Sequence, residues 1–226
     1  PSRSSIIIIM QPLTFDIKQA VRLFSEQTQA FLECSQSLSD LELLGPSLCE
    51  GWSCLDVVVH VRMGLEEMAS SASVQTVSPP DHDAASYWIG LDQSEEDDPV
   101  ERILWLRRTA ASYTRPKNAV EHLSNVINRA AATVGSMQHG VVQIQHQNLS
   151  AGDFVATWIV ELAVHQLDLN THSMPPGSEW ARMTIESIAG AQLPDQLNDV
   201  DSILAAIGRR HWPKNVEKPQ GFPIAL

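Results

Sequence analysis

The chain of 226 residues carries 15 Lys and Arg against 27 Asp and Glu, a formal net charge of −12, and 43% of its residues are hydrophobic. This length and composition favour one large folded domain and exclude a disordered chain. The acidic balance argues against nucleic acid as a partner, because phosphate backbones are bound by clustered cations, and no apolar run approaches the ~20 residues of a membrane span. The three cysteines form no CxxC motif, which favours a reducing, cytoplasmic location over a disulfide scaffold.

Apolar residues recur at helical spacing along most of the chain. The helices predicted from this pattern span approximately residues 14–38, 53–72, 99–113, 116–134, 150–172, 178–191 and 199–207. The fourth can also be a kinked continuation of the third. These elements predict one all-α domain over residues 10–213, a bundle with additional short C-terminal helices. Residues 1–9 are interpreted as a leader outside the domain, and residues 214–226 as a tail with few anchors.

Helix starts are marked by residues whose side chains can accept hydrogen bonds from free backbone N–H groups. Thr14 or Asp16 suits the start of the first helix. Ser53, followed three positions later by Asp56, has the spacing of a capping box. Ser150, again with an aspartate three positions later, predicts the start of the helix that reaches about His172.

Two segments interrupt the helices and are expected to form the walls of any pocket. Residues 73–98 contain two adjacent prolines and an acidic run at 95–98, which is predicted to be a solvated surface, with one short helix near 87–91. Residues 135–150 contain two glycines and an apolar stretch at 141–145, which predicts a short strand or an extended crossover.

The helix around residue 161 carries the most informative pattern. Thr157, Glu161, His165 and Asp168 fall on one narrow stripe, and almost every other position is apolar. A helix that is apolar nearly all round is typically buried. Glu161 and His165 project side by side from consecutive turns, and a carboxylate with an imidazole suits a divalent ion such as Zn²⁺. His60, within the apolar run Val57–Val61, is the candidate third ligand, since three protein ligands with an open position are typical of a catalytic zinc site.

Simpler explanations exist for each of these residues. Glu161 and His165 can form an intrahelical ion pair on a solvated face. His60 can be a core histidine that bonds a backbone carbonyl or Asp56.

Three short motifs resemble those of the DinB-like metal-binding bundles, and within them the actinobacterial mycothiol-dependent maleylpyruvate isomerases. They are Gly51-Trp52-Ser53 with Leu55-Asp56 and His60, Glu161-Leu162-Ala163-Val164-His165 with Asp168-Leu169, and Gly208-Arg209. Their order and spacing extend the resemblance over roughly residues 14–213. The resemblance implies a four-helix bundle in which His60, Glu161 and His165 bind a divalent metal, zinc first and Ni²⁺ or Fe²⁺ as alternatives. It also implies a thiol cosubstrate such as mycothiol.

The remaining candidate residues have a functional and a structural interpretation. Asp168 is assigned to orienting a ligand histidine, against an ordinary hydrogen bond at a helix end. Arg209 is assigned to an anionic group of the substrate, against a surface arginine. Trp52 is expected to pack as a structural residue before the second helix. Cys54 lies where a helix dipole can lower a thiol pKa, but a small buried residue is the favoured interpretation.

The sequence therefore predicts a metal-dependent enzyme that uses a thiol, as an isomerase or an S-transferase, on a small electrophile. A metal-dependent hydrolase on the same bundle is the first alternative. The second is a non-catalytic stress or regulatory binding protein. The sequence leaves open whether the protein is a monomer or a homodimer.

Overall fold

The computed structural model describes residues 11–91 and 99–226. The predicted leader and the acidic run 95–98 lie outside these ranges. The helices are α1 (Ile17–Ser37), α2 (Asp40–Leu44), α3 (Cys54–Ser71), α4 (Ser86–Leu91), α5 (Pro99–Ala111), α6 (Pro116–Gly135), α7 (Ala151–Asp168), α8 (Ser178–Ala189) and α9 (Asp199–Ala206). The strands are β1 (Gln75–Thr76), β2 (Val141–Ile144) and β3 (Gln147–Ser150).

Four long helices form the bundle that the sequence predicted. Helix α1 packs against α6 and α7, and α3 packs against the same two helices. Their apolar faces meet in one core, whose largest fully buried side chains include Phe24 and Phe31 from α1, Met68 from α3, Leu123 from α6 and Phe154 from α7. The core holds α3 and α7 side by side, and the candidate ligands lie on these two helices.

Helix α7 is buried on both sides, which explains its nearly continuous apolar sequence. One face belongs to the bundle core, and the opposite face packs against α8 and α9. Val160 and Val164 of α7 meet Ile185 and Ile203 in this second apolar cluster, which Phe222 completes. Phe222 is only 6% exposed, so it anchors the segment that the sequence predicted as a tail with few anchors.

The helix starts follow the predicted chemistry. Asp16 caps α1 by accepting hydrogen bonds from two backbone N–H groups of the first turn. Ser53 and Asp56 form both hydrogen bonds of the capping box at the start of α3. Ser150 accepts a hydrogen bond from the backbone of Asp153 at the start of α7.

The end of α7 differs from the prediction. The helix ends at Asp168 rather than near His172. Asn170 and His172 have φ values of 53° and 60°, in the left-handed region that a right-handed helix cannot continue through. His172 is consequently outside the helix and exposed.

A small antiparallel sheet in the order β1-β2-β3 packs against α3 and α7 through β2 and β3. Strand β2 confirms the extended stretch predicted at 141–145. Gln145 and His146 form the turn between β2 and β3, and both have positive φ, as two-residue hairpin turns of this kind require. No helix within the described ranges has the length and hydropathy to cross a bilayer.

Candidate metal centre and its cavity

Helices α3 and α7 bring the three predicted ligands together. His60 projects from α3, while Glu161 and His165 lie one turn apart on α7. Oε1 of Glu161 is 2.8 Å from Nε2 of His60 and 3.2 Å from Nε2 of His165. One ligand atom from each residue lies within 4.8 Å of the other two. The rings of His60 and His165 meet edge to face, with centroids 4.8 Å apart.

The carboxylate and imidazole of α7 stabilise each other's charged forms. Burial opposes the charge of Glu161, but the charge of His165 and hydrogen bonds from His165 and His60 outweigh it and hold the pKa of Glu161 well below its usual range. Burial likewise opposes the imidazolium of His165, but the charge of Glu161 and hydrogen bonds to Asp168 and Glu161 raise the pKa of His165 to about 10. Simple intrahelical pairing on a solvated face does not describe this pair, because the side chain of His165 is only 8% exposed.

Asp168 and Arg209 form a buried chain of contacts behind His165. Oδ2 of Asp168 accepts a hydrogen bond from Nδ1 of His165 at 2.9 Å. Its other oxygen accepts one from Nε of Arg209 at 3.0 Å. The Asp168 side chain is fully buried, and that of Arg209 is 18% exposed. Within the described ranges the two terminal nitrogens of Arg209 have no hydrogen-bond partner, and Arg209 does not line the cavity described below.

Trp52 lies against the two histidines. Its ring centroid is 5.1 Å from that of His60 and 6.2 Å from that of His165, nearly parallel to the latter. Trp52 packs as the sequence predicted, and the residues that it packs against include the candidate ligands His60 and His165. Sequence reasoning missed this contact, although the position of Trp52 one residue before the helix cap placed it at the same end of α3.

A cavity of about 570 Å³ opens beside the centre, and His60 and Glu161 line it. The walls come from the two segments that the sequence predicted as pocket walls, together with α3, α5 and α7. Beyond those two residues the lining consists of Gly64, Glu67, Tyr87, Trp88, Gly90, Arg102, Gln145, His146, Gln147, Thr157 and Trp158. This volume lies within the usual range for small-molecule pockets, and aromatic walls are typical of them.

Gly64 allows α3 and α7 to approach at the cavity. A Cβ atom at this position would lie 2.7 and 2.8 Å from two ring carbons of Trp158. The indole of Trp158 therefore occupies the space that any larger residue on α3 would fill. In the sequence, the only indication of this contact between α3 and Trp158 is that residue 64 is a glycine.

Two histidines and a carboxylate are a donor set that zinc accepts. In a tetrahedral site with ligand bonds of about 2.0–2.1 Å, ligand atoms lie roughly 3.3 Å apart. The two distances from Oε1 of Glu161 to the histidine nitrogens, 2.8 and 3.2 Å, are close to this value, and all three donor atoms lie within 4.8 Å of one another. Asp168 also provides the carboxylate partner that metal-binding histidines usually have on the second ring nitrogen. The residues present therefore fit a divalent metal.

Cys54 faces the interior and is not part of the centre. Cys54 is 4% exposed, and burial raises its thiol pKa, which agrees with the interpretation of a small buried residue. Cys34, Cys49 and Cys54 are all free thiols. The cytoplasmic location inferred from the cysteines stays a prediction.

Comparisons with known proteins agree on the fold. The profile of the mycothiol maleylpyruvate isomerase N-terminal domain family matches residues 24–170. Two crystal structures, a mycothiol-dependent maleylpyruvate isomerase and a histidine-to-alanine mutant of it, each superpose with a TM-score of 0.55 at 14% identity. Each alignment covers 76% of this chain and 70% of the other. No curated protein sequence matches the chain.

The fold is thus a helical bundle of the kind seen in these isomerases. The family profile covers more than half of the chain, and the chain belongs to the mycothiol maleylpyruvate isomerase N-terminal domain family. This confirms the resemblance found in the sequence motifs.

Proposed function

We propose that this protein is a thiol-dependent isomerase or S-transferase for a small electrophile, with a divalent metal, preferably zinc, held by His60, Glu161 and His165. The observation that carries the proposal is the convergence of these three side chains from α3 and α7 beside an aromatic cavity. Membership in the family supports mycothiol, or a similar thiol, as the cosubstrate. The related structures support isomerisation of maleylpyruvate as the first reaction to test.

A divalent ion bound here would favour the thiolate form of the cosubstrate, because the cation lowers a thiol pKa. The residues of the chain prepare the site for that ion. A neutral His165 that donates from Nδ1 to Asp168 has its lone pair on Nε2, on the side of Glu161 and His60. Asp168 thus fixes the ring orientation, and Arg209 fixes Asp168 from the other side.

Arg209 has a second proposed role in binding an anionic group of the substrate. Its Nε is engaged by Asp168, which leaves the two terminal nitrogens as donors. A guanidinium presents such a pair in the geometry that a carboxylate accepts. Arg209 does not line the cavity that Tyr87 and Trp158 border. For this role, an anionic group of the substrate must therefore extend beyond that cavity to Arg209.

Metal binding is tested by elemental analysis of the protein purified without a metal-affinity tag. We expect about one zinc, nickel or iron per chain, and its loss in the His60→Ala, Glu161→Ala double variant. The matched control is His139→Ala with Glu26→Ala, which removes the same two side-chain types from exposed positions. A wild-type protein that holds no metal and takes up none from added zinc would contradict the ligand assignment.

Thiol dependence is tested separately with the metal-loaded protein. We expect isomerisation of maleylpyruvate, or conjugation of another electrophile, only when mycothiol is present. Turnover that is indifferent to the thiol would instead support the hydrolase. If replacing the ligand triad changes no measurable activity, the protein is a binding protein rather than an enzyme.

A further inference from the structure

We propose that the hydroxyl of Tyr87 is a catalytic hydrogen-bond donor, which stabilises the negative charge that develops on the substrate's carbonyl oxygen during thiol addition. The inference rests on the proposed thiol-dependent function and adds a residue that no motif in the sequence indicated. It starts from the position of Tyr87 on α4, the short helix between β1 and α5.

Tyr87 shares the cavity with the candidate metal centre. The residue is 5% exposed and lines the same cavity as His60 and Glu161. Its hydroxyl lies 3.5 Å from Oε1 of Gln145, another cavity residue, at the long limit of a hydrogen bond. A donor held this loosely can exchange its partner for a ligand oxygen at little cost.

The other polar side chains of the lining are less suited to this task. The hydroxyl of Thr157 donates to the carbonyl oxygen of Phe154 at 2.8 Å. The indole N–H groups of Trp88 and Trp158 also border the cavity, are buried, and have no partner among the described residues. Arg102 is exposed. The amide of Gln147 donates a similarly long bond of 3.4 Å to the carbonyl oxygen of Tyr87. Tyr87 is the buried hydroxyl donor of the lining with a weak existing bond.

The electrostatic surroundings keep this donor protonated. Burial, then the negative charges of Glu161 and Glu67, raise the pKa of the Tyr87 phenol above its usual value. A phenol that resists ionisation keeps its proton throughout the reaction and acts only by hydrogen bonding. Its contribution is larger in this enclosed site than in water, because the local dielectric constant is lower.

The chemistry balances without any further reagent. The thiolate sulfur forms a bond to the β-carbon of a conjugated carbonyl compound, and the π electron pair moves onto the carbonyl oxygen. The former double bond is now single and rotates. The electron pair then returns, the carbon–sulfur bond breaks, and the thiolate is released with the trans product. The Tyr87 proton stays on Tyr87, whose hydrogen bond is strongest while the oxygen carries the charge.

The test compares Tyr87→Phe with Tyr113→Phe, the two tyrosines of the chain. Tyr113 is a matched control, since its hydroxyl also has a side-chain partner, Nδ1 of His122 at 2.8 Å, but does not line the cavity. With maleylpyruvate and mycothiol, Tyr87→Phe is expected to lower kcat roughly 10²-fold or more while KM for maleylpyruvate stays unchanged. Tyr113→Phe is expected to keep the wild-type kcat.

Metal content and the urea unfolding curve of each variant accompany the kinetics. A lower kcat with unchanged KM, metal content and unfolding midpoint supports the donor role. If kcat is unchanged, or if kcat falls together with stability and metal content, Tyr87 is not a catalytic donor. If the wild-type protein itself shows no thiol-dependent isomerisation, the proposed function fails, and this inference fails with it.

Discussion

Replacement of Asp168 by asparagine probes the centre at its most buried point. The substitution keeps the size of the side chain and one oxygen acceptor, but removes the negative charge that faces His165 and Arg209. In the wild-type structure Nε of Arg209 donates to Oδ1 of Asp168 at 3.0 Å, and the amide oxygen of the asparagine can still accept this hydrogen bond. The amide nitrogen, however, is a donor, and it then faces Nδ1 of His165 in place of an acceptor.

Two magnitudes follow for Asp168→Asn. Removing one partner of a buried ion pair costs about 3–5 kcal/mol, and the retained hydrogen bond to Arg209 reduces this to about 2–3 kcal/mol. The amide N–H₂ of the asparagine donates to Nδ1 of His165, so Nδ1 must be the unprotonated ring nitrogen. A neutral His165 then carries its proton on Nε2. That proton occupies the position a metal needs, so zinc affinity is expected to fall about 10- to 100-fold.

The free energy of unfolding is measured by urea titration of the metal-free protein, and zinc affinity by competition with a chromophoric chelator at pH 7. Asp201→Asn is the control, because Asp201 pairs with Arg210 at 2.8 Å on the surface, where both side chains are at least 40% exposed. Such a pair contributes only about 0.2–1 kcal/mol. If Asp168→Asn retains both wild-type stability and wild-type zinc affinity, the assigned positioning of His165 is refuted.

Two further substitutions test the packing around the cavity and the C-terminal segment. Gly64→Ala places a Cβ atom 2.7–2.8 Å from ring carbons of Trp158, so the ring must shift, and thermal denaturation is expected to show a loss of about 1–3 kcal/mol. A change within experimental error would mean that the two helices do not approach as closely as described. Phe222→Ala removes a side chain that is 6% exposed in the second apolar cluster, and urea titration is expected to show a loss of about 3 kcal/mol. A detached tail would show no loss.

Local sequence signals predicted the helices and the ends that depend on nearby residues. The capping box of Ser53 and Asp56 is complete within four positions, so short-range chemistry suffices to place the start of α3. The end of α7 was placed four residues too late. The apolar periodicity weakens gradually there, whereas the left-handed conformations of Asn170 and His172 stop the helix at once.

The candidate ligands were predictable because two of them share one helix. Glu161 and His165 lie four positions apart, and the geometry of the helix alone places them side by side. The apolar surroundings of His60 indicated a buried imidazole, but its approach to Glu161 spans 101 positions of sequence. The need of a catalytic zinc site for a third protein ligand, together with the family resemblance, connected His60 to this pair from the sequence.

Helical periodicity, caps and short motifs act over a few positions, so the sequence alone was enough to predict the all-α class, the family and the candidate metal ligands. The tertiary structure decided which surfaces meet. Only the packing of α3 against α7 places Trp52 over the two histidines, and only the fold of the connecting segments carries Tyr87 and Gln145 into one cavity. Contacts between distant residues depend on how whole elements pack, and a pattern of period 3.6 specifies which face is buried but not what it is buried against.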